Sequence, residues 1–157
     1  MKARLVGRAG AWVAGAWAGV MIGVGGLAAP LLFELLPRAD AGRVAARLFS
    51  LEATVGVCAG ALLLLVGVQL GRDRAERGQG SRFGVELILA LGAIGCVVVG
   101  HYALLPLIDA ARAGQGALSF GALHAIASAF YALRLALVAV LAWRLAAPVT
   151  ISPAAAS

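Results

Sequence analysis

Four long apolar runs set the plan of the chain. Ala9 to Phe33 and Ala53 to Gly71 carry no charge, Leu87 to Ile108 is interrupted by His101, and Phe120 to Trp143 by His124 and Arg134. A helix rises about 1.5 Å per residue and a bilayer core is about 30 Å thick, so about 20 apolar residues cross it. Each run is long enough. None alternates with a period of two, and a lone strand in lipid would leave its backbone groups unsatisfied. The pattern predicts an all-α integral membrane four-helix bundle over residues 1–146, with spans near 11–35, 50–70, 85–107 and 121–143, and a disordered tail over 147–157.

The punctuation between the runs refines this plan. Pro37 ends the first helical region, and Asp40 is placed to cap a helix beginning at Ala41. Arg43 and Arg47 then share one face while Val44, Leu48 and Leu51 share another, which predicts a short amphipathic stretch lying on the membrane surface ahead of span two. "GRDRAERGQGSR" reads as a solvated connector between spans two and three. Pro30 removes a backbone donor late in span one and predicts a kink near Gly26, with freed carbonyls.

Helices in lipid associate through close backbone approach rather than the hydrophobic effect. Span one carries Gly15, Gly19 and Gly23, span two Gly56 and Gly60, and span three Gly92, Cys96 and Gly100. These stripes predict tight packing with spans one to three close together. Internal packing is the first reading of the span-one stripe, and a homodimer through it is the alternative.

Composition supports the membrane class. The chain is 62% hydrophobic and 13% charged, against about 45–50% and about 25% in soluble domains. Its formal net charge of +6 does not point to nucleic acid, because the basic residues flank the apolar runs and no basic-aromatic module is present. The lipid bilayer is the expected partner. Lys2, Arg4, Arg8, Arg72, Arg74, Arg77, Arg82 and Arg144 fall on one side, and Arg38, Arg43, Arg47 and Arg112 on the other. The richer side is expected to be cytoplasmic, giving an N-in, C-in topology. The first run is longer than the apolar core of a signal peptide and reads as a retained span. Cys58 and Cys96 lie in apolar runs without metal-ligand spacing and read as small buried residues.

The polar residues inside the runs are the candidate chemistry. His124, Ser128 and Tyr131 recur at i, i+4 and i+7 on one face of span four, and Arg134 lies on a neighbouring face, roughly 15 Å deeper than His124. A buried arginine in a span must be paired or face water, and such a residue is by default a functional hypothesis. Glu52 is the expected carboxylate partner, with a structural clamp as the alternative role. His101, on the antiparallel span three, leans toward the same depth, and Glu86 stands alone at the inner end of that span. Glu52, His101, His124, Ser128, Tyr131 and Arg134 therefore form the candidate binding set. No residue is assigned a catalytic role, and the sequence names neither a metal nor a cofactor.

Three stretches, "APLLFELLP" (Ala29–Pro37), "AGRVAARLFSLEA" (Ala41–Ala53) and "AARAGQGALSFGALHAIASAFYALRLAL" (Ala110–Leu137), resemble the bacterial four-span family known as domain of unknown function 4149. More distantly, the pattern is similar to eukaryotic transmembrane protein 205. The resemblance runs from about Ala11 to Leu145 and implies a small polytopic protein of the bacterial inner (plasma) membrane. It places Pro30, Phe33, Gly42, Phe49, Glu52, Phe120, His124, Ser128, Tyr131 and a basic residue at Arg134 at characteristic positions, while His101 does not match. It implies no reaction. Three functional expectations follow: an outward-facing intramembrane site for small solutes or ions; a non-catalytic structural or assembly protein; and a haem- or copper-dependent oxidoreductase using His101 and His124.

Overall fold

Each apolar run becomes one helix. The computed structural model describes residues 2–147, and these form α1 (Ala3–Leu35), α2 (Arg38–Glu76), α3 (Val85–Arg112) and α4 (Phe120–Ala146). All four are long and apolar enough to cross a membrane. Among the described residues there is no strand. The expected tail lies outside the described residues except for Ala147.

The helices are joined by short turns. Proline disfavours helical backbone in the residue before it, and Leu36 is extended at φ −120°, ψ 151°. Pro37 itself precedes the first turn of α2, where its carbonyl accepts from the Asp40 and Ala41 amides. Helix α2 therefore starts at Arg38, earlier than a cap at Asp40 would place it. Asp40 instead pairs with Arg43 inside the first turn. Beyond α3, Gly114 takes a left-handed φ of +74° that costs glycine least. Ser119 then caps α4, its hydroxyl accepting from the Ala122 amide at 3.2 Å.

The amphipathic stretch expected to lie flat before span two is instead collinear with it. Helix α2 is one rod of 39 residues, about 58 Å long at about 1.5 Å per residue. Ala41 and Ala45 are buried, on a stretch of α2 that packs on the tail of α1. The small residues that punctuate the stretch give it a docking face, so it continues the bundle.

Around the bundle, α1 packs on α2 and α4, and α3 packs on α2 and α4. Spans one and three are thus diagonal, not close neighbours as the small-residue stripes suggested. The start of α1 lies against the end of α4, with Gly10 beside Leu145, so the described ends of the chain share one end of the bundle with the α2–α3 connection. Trp17, Met21, Leu63, Val97, Val138 and Leu141 fill the core. Outside, large apolar side chains stand exposed on every helix, from Trp12 at 78% to Trp143 at 77%. A soluble monomer rarely exposes so much contiguous apolar surface, and a lipid-facing bundle must.

Two wide turns interrupt the α-helical pattern. Ile22–Ala28 in α1 and Val98–Ala103 in α3 are π-helical. Each lies just before a proline, Pro30 or Pro106. A proline removes an N–H and crowds the carbonyl four residues earlier, which is Gly26 for Pro30 and Tyr102 for Pro106. Shifting to i→i+5 bonding relieves both demands without breaking the helix. The segment around Gly26, where a kink was expected, is π-helical.

The glycines divide by face. A methyl group on Gly56 would meet the Trp17 indole at 3.1 Å, on Gly92 the Leu137 side chain at 3.2 Å, and on Gly100 the Phe130 Cβ at 2.8 Å, while Gly60 is closed off by Ile94. Gly67 and Gly71 admit the backbone of Leu87 and Arg82. By contrast, Gly15, Gly19 and Gly23 meet nothing within 4 Å. The span-one stripe thus has no close neighbour among the described residues, because α1 uses its Ala14–Trp17–Met21 face for the core. Gly67→Val is expected to destabilise the protein by about 1–3 kcal/mol through overpacking. Gly19→Ala should be neutral or stabilise by up to about 1 kcal/mol through helix propensity. Thermal unfolding of the detergent-solubilised protein reads both.

Candidate functional site

The centre of the bundle is built around one carboxylate. Glu52 enters the core because its neighbours Ala53 and Gly56 share the inward face of α2. Arg134 enters from α4, on the buried line that also carries Leu123, Val138 and Leu141. Arg134 Nη2 donates to Glu52 Oε2 at 2.5 Å, and each residue is 3% exposed. The pair joins α2 and α4 across the diagonal of the bundle.

Two aromatic residues complete the arrangement. Trp17 Nε1 on α1 donates to Glu52 Oε1 at 3.3 Å, so each carboxylate oxygen has a donor. The Arg134 guanidinium lies over the Tyr131 ring, 4.8 Å from its centroid. Such a contact gains strength when the cation is desolvated. The Tyr131 hydroxyl in turn donates to the Met21 carbonyl at 2.8 Å, at the start of the π-helical segment. Gly25 lies under the ring, where a Cβ would come within 2.9 Å of it. Phe49 closes the other side edge-on, with centroids 5.5 Å apart. Three helices are thereby tied through one chain of polar contacts.

The structure brings together Glu52, Tyr131 and Arg134 from the candidate set and separates the rest. His124 and Ser128 are exposed. The Ser128 hydroxyl donates to the His124 carbonyl at 2.8 Å, while the His124 imidazole stacks on Phe120 with centroids 5.7 Å apart. The inward face of α4 runs through Leu123, not His124, so the His124–Ser128 line turns outward. His101 is half-buried in the second π-helical segment, edge-on to Tyr102 at 5.0 Å. Among the described residues, no three His, Cys, Asp or Glu side chains converge as a metal site requires.

Sequence reasoning missed Trp17, Met21 and Gly25. The signal was available in outline, since Ala14, Trp17 and Met21 fall at helical spacing on one face of α1. The glycine stripe drew attention to the opposite face. Glu86 also differs from expectation. It is buried, pairs with Arg74, and accepts from Arg144 at 3.3 Å, joining α2, α3 and α4 at the end that carries the described chain ends. Arg74 and Arg144 flank the apolar runs and read in sequence as charges for the lipid surface.

Two surface cavities among the described residues are lined without Glu52 or Arg134. One, of about 560 Å³, opens at the end of the bundle away from the described chain ends, among residues including Arg38, Arg43 and Arg112. The other, of about 310 Å³, lies beside Arg8 and Trp12. Arg134 Nε is buried without an acceptor among the described residues.

A bundle of four membrane-length helices closed by a central ion pair defines a polytopic membrane protein. The chain belongs to the family described as Domain of unknown function (DUF4149), which matches residues 12–117. The matched residues include Trp17 and Glu52 and stop short of α4, which supplies Tyr131 and Arg134. No curated protein and no solved structure matches the chain.

Tyr131→Phe isolates the hydroxyl bond to α1, because it keeps the ring beneath the guanidinium. It is expected to lower stability by about 0.5–1.5 kcal/mol, read as a drop in melting temperature. Gly25→Ala should lower it further, because the new methyl displaces the ring itself.

Proposed function

We propose that this is a non-catalytic structural or assembly protein of the bacterial inner membrane, with four spans and both termini in the cytoplasm. The observation that supports this reading is the buried Glu52–Arg134 pair, which lines neither of the two surface cavities and whose carboxylate also accepts from Trp17. A pair held this way sets which helices oppose each other. The same likeness of pattern extends the proposal to eukaryotic transmembrane protein 205 as a distant relative.

The test is a double-mutant cycle. Removing one partner strands a buried charge, so Glu52→Leu or Arg134→Met alone is expected to destabilise by roughly 3–5 kcal/mol. The double variant should recover most of that loss, because an apolar pair of similar volume fills the same space. A double variant as unstable as the worse single one would remove the clamp reading. The orientation is tested by labelling single cysteines from the outside of intact cells. A cysteine at Gly114 should react and one at Gly78 should not.

A second reading has its own support. Arg134 Nε lacks an acceptor among the described residues, and buried polar groups are seldom left unpaired. A polar site for a small solute or ion, opening outward along Tyr131, would supply that acceptor. Under this reading purified wild-type protein carries a bound species that an Arg134→Gln variant loses. An identical inventory of metabolites and metals in both proteins would end it. The haem or copper alternative with His101 and His124 predicts metal in that inventory. The span-one stripe, open along Gly15, Gly19 and Gly23, leaves a homodimer as the proposed oligomer, which crosslinking at Gly19→Cys would trap.

A further inference from the structure

The larger cavity lies where α1 ends and α2 begins, and α3 and α4 close it from the other side. Its lining includes Arg38, Gly42 and Arg43 of α2, Phe33 of α1, Arg112 of α3 and Phe120 of α4. Three arginines line it, and no carboxylate is among the lining residues. Asp40 pairs with Arg43, and Asp109 accepts from Arg112 at 3.4 Å, so two of the three are partly neutralised. Among the described residues Arg38 forms no ion pair. The Arg112 guanidinium also rests over the Phe120 ring, 5.2 Å from its centroid, which holds it at the cavity rim.

The chemistry of this cavity is that of a phosphate site with an apolar wall. Guanidinium groups recognise phosphate oxygens by charge-assisted, forked hydrogen bonds. Phe33 and Phe120 are half-exposed beside them and continue onto the apolar outer surface of the bundle. A cavity of about 560 Å³ is wide enough for a lipid headgroup, since small-molecule sites run from about 300 to 1,000 Å³. Gly42 leaves it open, as a Cβ there would meet nothing within 4 Å. We propose that this cavity binds the headgroup phosphate of an anionic phospholipid, with Arg38, Arg43 and Arg112 around the phosphate and the acyl chains running down past Phe33 and Phe120. The proposal rests on the membrane placement given above. That placement is checked separately by reconstitution of the full chain into pure phosphatidylcholine bilayers, which needs no anionic lipid.

The experiment uses the full chain purified in a neutral detergent, with dioleoyl phosphatidylglycerol, dioleoyl phosphatidylcholine and inorganic phosphate as separate probes. Melting temperature and intact-complex mass spectrometry are the readouts. Phosphatidylglycerol is expected to raise the melting temperature saturably and to remain bound in the mass spectrum. Arg38→Gln should raise the half-saturating concentration about fivefold, the worth of one arginine near an anionic headgroup. Gly42→Trp fills the cavity, keeps every charge and should abolish the effect. Arg47→Gln, at the same end but outside the lining, should leave it unchanged. An equal effect of phosphatidylcholine overturns recognition of the anionic headgroup. An equal effect of inorganic phosphate at matched concentration overturns the lipid as occupant. Retention of the full response in Gly42→Trp, or a loss in Arg47→Gln as large as in Arg38→Gln, reduces the cavity to diffuse surface charge and overturns the proposal.

Discussion

The buried pair between Glu52 and Arg134 is the constraint around which the bundle is arranged. Both side chains are buried, so each must answer the other, and the two come from helices that share a diagonal rather than an edge. An arginine in the middle of a membrane helix costs at least about 2.5–3.5 kcal/mol on insertion scales. That demand forces α2 and α4 to face inward at the same depth. Trp17 then ties α1 to the shared carboxylate, and Tyr131 ties α4 back to the α1 backbone. The small residues follow from the large ones. Gly56 makes room for the indole and Gly25 for the phenol ring.

Polar contacts occur at three levels of the bundle. Near the described chain ends, Glu86 gathers Arg74 and Arg144 and joins three helices. At the centre, one carboxylate gathers an arginine and an indole. At the far end, arginines surround an open cavity with no carboxylate in its lining. The first two levels are each built on a buried carboxylate, whereas at the third the aspartates that pair with Arg43 and Arg112 lie outside the cavity lining.

Much of this was legible in the sequence, for physical reasons that also explain the rest. Four spans follow from run length alone. The Glu52–Arg134 pairing follows from the rule that a buried charge needs a counter-charge, and few carboxylates lie within the apolar runs. The spacing of Ala14, Trp17 and Met21 outlines a face, but the bond from Trp17 to Glu52 was illegible, because an indole in an apolar run looks the same whether it faces lipid or a carboxylate. The continuity of α2 was hidden because Arg43, Arg47 and Glu52 break the hydropathy without breaking the helix. Seven residues make nearly two turns, so His124 and Tyr131 share a line, whereas Arg134 lies about 80° from His124; which of these neighbouring faces turns inward was not legible, and the burial of Leu123, three turns before Arg134, shows that it is the arginine's. Pro106 carried the same warning as Pro30 and marks the second wide turn.

Those two wide turns change how the helices are phased. Each accommodates an additional residue relative to a regular α-helical turn, and one residue corresponds to about 100° of azimuth. The two halves of α1 therefore run on different angular clocks, as do those of α3. A spacing of four that marks one side of α1 through Gly23 cannot be extrapolated past Ala28. The faces that α1 and α3 present near the described chain ends are thus offset from those they present beside the arginine cavity, while α2 and α4 run unbroken through both halves. The arginine cavity therefore draws Phe33 and Arg112 from a different azimuth of their helices than the one that packs the core.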